Sequence, residues 1–281
     1  MAKLWAEPVT TALRADGQHV ADLDTSATPG FTGDKQQGKA LLTQRGTVLS
    51  ELQEKLFANG RTGDKRSVLL VLQGMDTAGK GGIVRHVIGS VDPQGVDHAS
   101  FGVPTEEEKQ HDFLWRIRKR LPVPGQLGVF DRSHYEDVLV VRVHDLVPQS
   151  EWEQRYGQIN AFEREVADSG TTIVKVAMFI SLDEQKRRLR ERLERPDKYW
   201  KFSPGDITER GYWPDYQKAY QVLLARTNTD YAPWYILPAD YKWYARLAVT
   251  ELLIDALTGL GLDWPPADFD VAEQLRRLDA S

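Results

Sequence analysis

The chain has 281 residues, a formal net charge of -5, 41% hydrophobic and 27% charged residues, and no cysteine. That balance excludes disordered and fibrous classes and argues against a generally basic nucleic-acid binder, which needs surplus positive charge to displace counterions. Without cysteine there are no disulfides, thiolate metal ligands or cysteine nucleophile. The longest apolar runs, 68–72 and 173–180, are strand length, so no membrane span is expected; the first residues lack the apolar stretch of a secretory signal, and a cytoplasmic address is expected.

In chain order, residues up to about Lys39 carry turn formers (Pro29, Gly30, Gly33) without a steady period and read as a surface arm, here taken as 1–35. Apolar residues at helical spacing from Leu41 to Phe57 predict a helix that stops at Asn59-Gly60. Ser67 to Gln73 is the continuous apolar run of a strand buried on both faces. Further strands are expected at His98–Val103, Gln126–Asp131, Thr171–Ser181 and Trp234–Pro238. Between and after them, helices are expected at Lys109–Arg120, Trp152–Ala167, Asp183–Leu193, Pro214–Arg226 and Trp243–Leu260. The alternation predicts a doubly wound α/β sheet in one domain spanning 36–270. A Pro-, Gly-, Trp- and charge-rich stretch at about 194–215 has no apolar period and reads as a mobile lid.

Gly74-Met-Asp-Thr-Ala-Gly-Lys-Gly-Gly82 follows the first strand and precedes a helix-like segment, fitting the G-x4-G-K pattern. In such a loop (Gly74, Thr77, Ala78, Gly79, Gly81, Gly82) backbone amides face phosphate oxygens, and Lys80 adds a point charge at the helix N-terminus. Gly81 stands where the pattern has a metal-binding hydroxyl, so magnesium needs other oxygens; Asp76 is the nearest candidate. A second carboxylate, Asp131, ends an apolar strand at a Walker-B-like position, where it would share the metal; its blander reading is a helix cap. Arg132 beside it is suited to clamp a phosphate. Basic residues from Lys186 to Arg192 read as a solvated helix face, whereas Lys198 and Lys201, interleaved with Trp200 and Phe202, suit a lid closing over phosphate. His134 is given no chemical role, and Tyr212, Trp213, Tyr216 and Tyr220 read as packing.

These blocks, with Phe130-Asp-Arg-Ser-His-Tyr-Glu-Asp-Val-Leu139, Trp200-Lys-Phe, Gly205-Asp206 and Tyr231-Ala-Pro-Trp-Tyr235, resemble the family-2 polyphosphate kinases from about Thr32 to Asp263. The resemblance implies a thymidylate-kinase-like P-loop αβα sandwich with a parallel sheet and a helical lid. It also implies a homo-oligomer, dimer or tetramer, and transfer between inorganic polyphosphate and nucleoside mono-, di- or triphosphates, dependent on magnesium or on manganese in its place. By matching position, Asp76 and Asp131 would hold metal, Lys80 and Arg132 would bind phosphates, and Lys201, Asp206 and Arg210 would complete the closed site, with Arg195 a rival for the lid arginine. Two other readings are an ATP-dependent nucleoside monophosphate kinase and a nucleotide-binding regulatory module that does not react. These motifs leave the choice between mono- and diphosphate acceptors open.

Overall fold

The computed structural model describes residues 4–281. Among them five parallel strands, β1 (Ser67–Gly74), β2 (Val96–Ser100), β3 (Leu127–Asp131), β4 (Thr171–Phe179) and β5 (Trp234–Pro238), form one sheet in the order β2-β3-β1-β4-β5. The helices are α1 (Val9–Ala12), α2 (Lys35–Arg61), α3 (Lys80–His86), α4 (Trp115–Arg118), α5 (Val140–Val143), α6 (Gln149–Asp168), α7 (Leu182–Glu194), α8 (Gly205–Glu209), α9 (Trp213–Thr227), α10 (Lys242–Gly259) and α11 (Val271–Asp279).

Each strand sends alternate side chains to opposite faces, so a sheet coated on both sides needs apolar residues at every position. β1 meets this need: Val68, Leu70 and Leu72 pack with α2, α3 and α10, while Leu69 and Val71 pack with α6 and α9. The result is the expected three-layer α/β architecture. β1 lies centrally between β3 and β4, and its register pairs Leu72 with Asp131 and Gly74 with Met178. The end of β1, which begins the phosphate loop, therefore lies beside the end of β3. The Walker-B-like carboxylate follows from that register.

Three local expectations are revised. The first helix does not stop at Asn59-Gly60: it starts at Lys35 under an Asp34/Gln37 capping box and continues to Arg61. Gly60 is helical because the turn before β3 presses on it; a Cβ there would lie 2.4 Å from the Gly125 Cα. The segment 109–120 is not one helix but a 3-10 turn at Glu108–Gln110 and the single turn α4, the chain being diverted by the Asp112 side chain, which accepts from the Leu114 N–H. The N-terminal arm is not a loose surface feature. Leu13, Ala15, Val20 and Phe31 are buried, and the arm pairs antiparallel with the outer edge of β5 (Ala15 N–H to Trp234 O 2.9 Å, Ile236 N–H to Leu13 O 2.8 Å).

One face of β4 carries a buried charge. Lys175 is fully enclosed and donates to Glu163 (2.6 Å), the Tyr135 hydroxyl (2.8 Å) and the Thr227 carbonyl (2.8 Å). Glu163 also accepts from Tyr135 (2.7 Å) and pairs with His134 Nε2 (3.2 Å). A carboxylate only accepts, so Nε2 carries the proton; burial first, and then Lys175, hold the His134 imidazole below its ordinary pKa and neutral. His134 and Tyr135 thus fix the segment after Asp131 from behind, in agreement with a structural reading of His134.

Gly60→Ala separates propensity from packing. Intrinsic preference alone would stabilise an interior helix position by about 1 kcal/mol. Because the new Cβ meets backbone rather than a movable side chain, the variant is expected to lose about 1–3 kcal/mol instead, measured by urea denaturation.

Candidate active site

For a loop to surround an anion, its N–H groups must face inward and its carbonyls must find partners elsewhere. The loop after β1 meets this condition carbonyl by carbonyl. Lys80 Nζ reaches the carbonyls of Gly74 (2.6 Å) and Met75 (3.4 Å), and Gln185 Nε2 donates to the Asp76 carbonyl (3.2 Å). Arg188 Nη1 donates to those of Thr77 (2.8 Å) and Ala78 (2.9 Å). Thr77 (φ 65°) and Gly79 (φ 118°) adopt left-handed backbone, which reverses the chain into α3; the threonine bears strain there that the glycine does not.

Arg188 does more than hold the loop. It is 5% exposed, and its remaining donors reach Ala239 O (2.6 Å), Asp240 O (3.0 Å) and Glu184 (2.6 Å). The reading of 186–192 as a solvated face is corrected here: α7 shows Arg187 and Arg190 to solvent, buries Arg188, and turns Arg192 to the lid. A helix with charge on all sides hides which charge faces inward until the sheet beneath it is known.

At the end of β3, Arg132 also adopts left-handed backbone (φ 63°), and its guanidinium meets Asp76 Oδ1 at 3.0 Å. Burial opposes its charge, yet Glu136, Asp76 and Asp131 hold it above the ordinary arginine value. Burial pushes the Lys80 ammonium down, against the opposing pull chiefly of Asp131. Asp76, Thr77, Ala78, Gly79, Lys80, Gly81, Gly82, Asp131 and Arg132 all line one cavity of about 510 Å³, as do Lys198 and Lys201 from the lid. Sequence reading therefore assembled most of one site.

Four predicted residues lie outside that lining. Gly74 sits beneath the loop, its Cα direction closed by Met178 O and Ala78 Cβ. Arg195 faces Asp197 and Glu191 on the lid surface. Asp206 takes Arg192 (3.1 Å), which also donates to Lys201 O (2.7 Å). Arg210 donates to Leu182 O (3.0 Å) and Gln185 Oε1 (2.8 Å). Asp206 and Arg210 thus brace the lid, and through Gln185 the Arg210 contact reaches the phosphate-loop carbonyl of Asp76. Conversely, Arg85, His86, Lys242 and Arg246 line the cavity and were not foreseen. Arg246 had a visible signal, a lone arginine in the largely apolar stretch 243–250.

Two part-exposed carboxylates at neighbouring strand ends, facing one cavity with a phosphate loop, are a donor set suited to a hard divalent cation, which prefers carboxylate, phosphate and water oxygens. Among the described residues no group of three or more His, Cys, Asp or Glu side chains is arranged to share a metal.

A sequence model described as Polyphosphate kinase 2 (PPK2) matches residues 32–261. The chain belongs to the polyphosphate kinase 2 family. Its relatives include the AMP/ADP-polyphosphate phosphotransferase of Meiothermus ruber, 48% identical over 86% of this chain and 89% of that protein. The ADP-polyphosphate phosphotransferase of Rhodopseudomonas palustris is 42% identical over 84% of each. The crystal structure of polyphosphate kinase 2 from Arthrobacter aurescens TC1 superposes with a TM-score of 0.97 at 55% identity, covering 100% of this chain and 99% of that one.

Arg188→Lys keeps the charge and removes the fork. At least three loop or strand carbonyls then lose donors, so stability is expected to fall by about 2 kcal/mol or more in denaturant titration, with weaker nucleotide binding by calorimetry.

Proposed function

We propose that this chain transfers phosphoryl groups between inorganic polyphosphate and nucleoside phosphates, with ADP and AMP as acceptors. One observation carries the reading: a single cavity is lined at once by the phosphate loop, by Asp76 and Asp131, and by Lys80, Arg132, Lys198 and Lys201. The names of the two relatives above supply the donor class and the acceptor pair.

Phosphoryl transfer needs an in-line acceptor, neutralised equatorial oxygens and exclusion of water, and little covalent help from protein. A terminal phosphate oxygen of the acceptor attacks the end phosphorus of the polymer; the new P–O bond forms as the bridging P–O bond breaks, and the shortened polymer leaves with that electron pair. The acceptor is already anionic, so no strong general base is required. Loop amides and Lys80 bind the donor phosphates in this reading, Lys80 exchanging its carbonyl partners for phosphate oxygens. Arg132 shifts from Asp76 to phosphate, and Lys198 and Lys201 descend with the lid, 194–215, to exclude water. Asp76 and Asp131 would hold magnesium, or manganese in its place; when bound, the ion offsets phosphate charge. Gly74 lets the loop close against β4, while Arg195, Asp206 and Arg210 serve the lid's folding rather than the phosphates. Residues 36–270 act as one domain, and a cytoplasmic homo-oligomer, dimer or tetramer, is part of the same proposal.

The test is incubation with magnesium, ADP or AMP, and long-chain polyphosphate, following nucleotide products with and without polymer. Polymer-dependent ATP from ADP is expected, and Asp131→Asn is expected to lower it by about 100-fold or more while the thermal unfolding midpoint holds. Polymer-independent, ATP-dependent phosphorylation of AMP would instead identify a nucleoside monophosphate kinase.

A further inference from the structure

Three carboxylates line the cavity at the phosphate loop: Asp76, Asp131 and Glu191. The first two stand by strand ends, where a cation can use them. Glu191 belongs to neither strand end; it lies on α7, just before the lid at 194–215. A carboxylate in a cavity that takes polyanions opposes the ligand through like charge, so its presence there calls for a reason.

Its partners supply one. Glu191 Oε1 accepts from Lys198 of the lid and lies 3.5 Å from Arg195 Nη1. Its Oε2 lies 3.9 Å from Lys242 Nζ on α10 and 3.9 Å from Arg187 Nη1 on α7 itself. One carboxylate thus joins the lid to α10, and both lysines that it joins line the cavity. Lys198 above all, then Lys242, holds the Glu191 carboxyl below its ordinary pKa against the effect of burial. Burial and then Arg188 lower that of Lys242, and Glu191 is the first of the groups that support its charge. The second lid lysine in the cavity is placed differently. Among the described residues Lys201 has no carboxylate within 4 Å, and its ammonium lies 4.7 Å from the centre of the Trp200 ring.

From one carboxylate that grips a lid lysine and a cavity lysine at the place where phosphate is to bind, we infer, resting on the proposed function, that Glu191 is a built-in competitor of phosphate. It occupies Lys198 and Lys242 while the site is empty, and substrate must take them from it. A ligand can shift the lid only by the difference between its affinities for the two arrangements, and the Glu191–Lys198 contact sets the size of that difference. A polyanion with several adjacent charges meets the requirement more easily than a lone phosphate does. The carboxylate reclaims its lysines as product leaves. Glu191 is therefore a positioning residue, acting through Lys198 and touching no reacting atom.

The experiment measures KM and kcat with ADP and long-chain polyphosphate in wild type, Glu191→Gln, Lys198→Gln and the double variant. Position 191 is half-buried on a helix, and glutamine keeps the shape and helix preference of glutamate. Glu191→Gln is expected to lower the KM for polyphosphate about fivefold without raising kcat, which is the signature of a lost competitor; loss of a mere brace would raise KM instead. In the Lys198→Gln background the same change is expected to move KM less than about twofold, because the contact is already gone. A KM that Glu191→Gln raises or leaves alone, or lowers equally in both backgrounds, while wild type turns over polymer, overturns the competitor and leaves the proposed function standing. A wild type with no polymer-dependent turnover overturns both.

Discussion

The guanidinium of Arg188 is the contact on which the site's geometry depends. It joins three segments at one point: the phosphate loop after β1, the exit from β5, and α7 through Glu184. An anion-binding loop is intrinsically unbalanced, since turning its amides inward leaves its carbonyls directed at the protein. Here that imbalance is met by side chains with fixed positions, Arg188 and Gln185 on α7 and Lys80 on α3. The loop is therefore held open before substrate arrives, and ordering costs little on binding.

Behind the second strand end, another buried interaction works in the same sense. The Lys175–Glu163 pair, with Tyr135 and His134, holds the chain just after Arg132, which sits in left-handed backbone. Buried ion pairs are poor sources of net stability, but removing one partner leaves an uncompensated buried charge and is strongly destabilising. Placing one directly under a strained turn keeps Asp131 and Arg132 aimed at the cavity. Strained residues thus occur on both sides of the site, at Thr77 and Arg132, each restrained from below.

Much of this was legible in sequence, because the chemistry is local. Strand β1 and its glycine loop are contiguous, so apolar run, turn and lysine could be read as one unit, and Asp131 was placed by the strand that it ends. Residues whose role depends on helix rotation were not legible. Arg188 is one of several basic residues on α7, and only packing against the sheet distinguishes it from Arg187 and Arg190. Arg210 and Asp206 were expected to complete the closed site because they match the family's lid, and here Asp206 pairs with Arg192 while Arg210 holds Leu182 and Gln185. Gly60 carried a stop signal in sequence but serves close approach to Gly125, a partner some sixty-five positions away. The 109–120 segment failed for the opposite reason: its helical pattern was overruled by a side-chain cap at Asp112.

The pairing of residues 13–15 with β5 has a consequence for how the molecule comes into being. Strand β5 is the last of the sheet to be synthesised, and its outward edge is sealed by residues that precede every strand in the chain. During synthesis the arm has no partner, and for a short time β5 has an open edge, the feature through which sheets join their neighbours wrongly. Contacts between such distant positions also slow folding. The arm therefore serves as a closure: it covers that edge only once β5 has formed, so a chain interrupted before β5 is left with residues 13–15 unpaired.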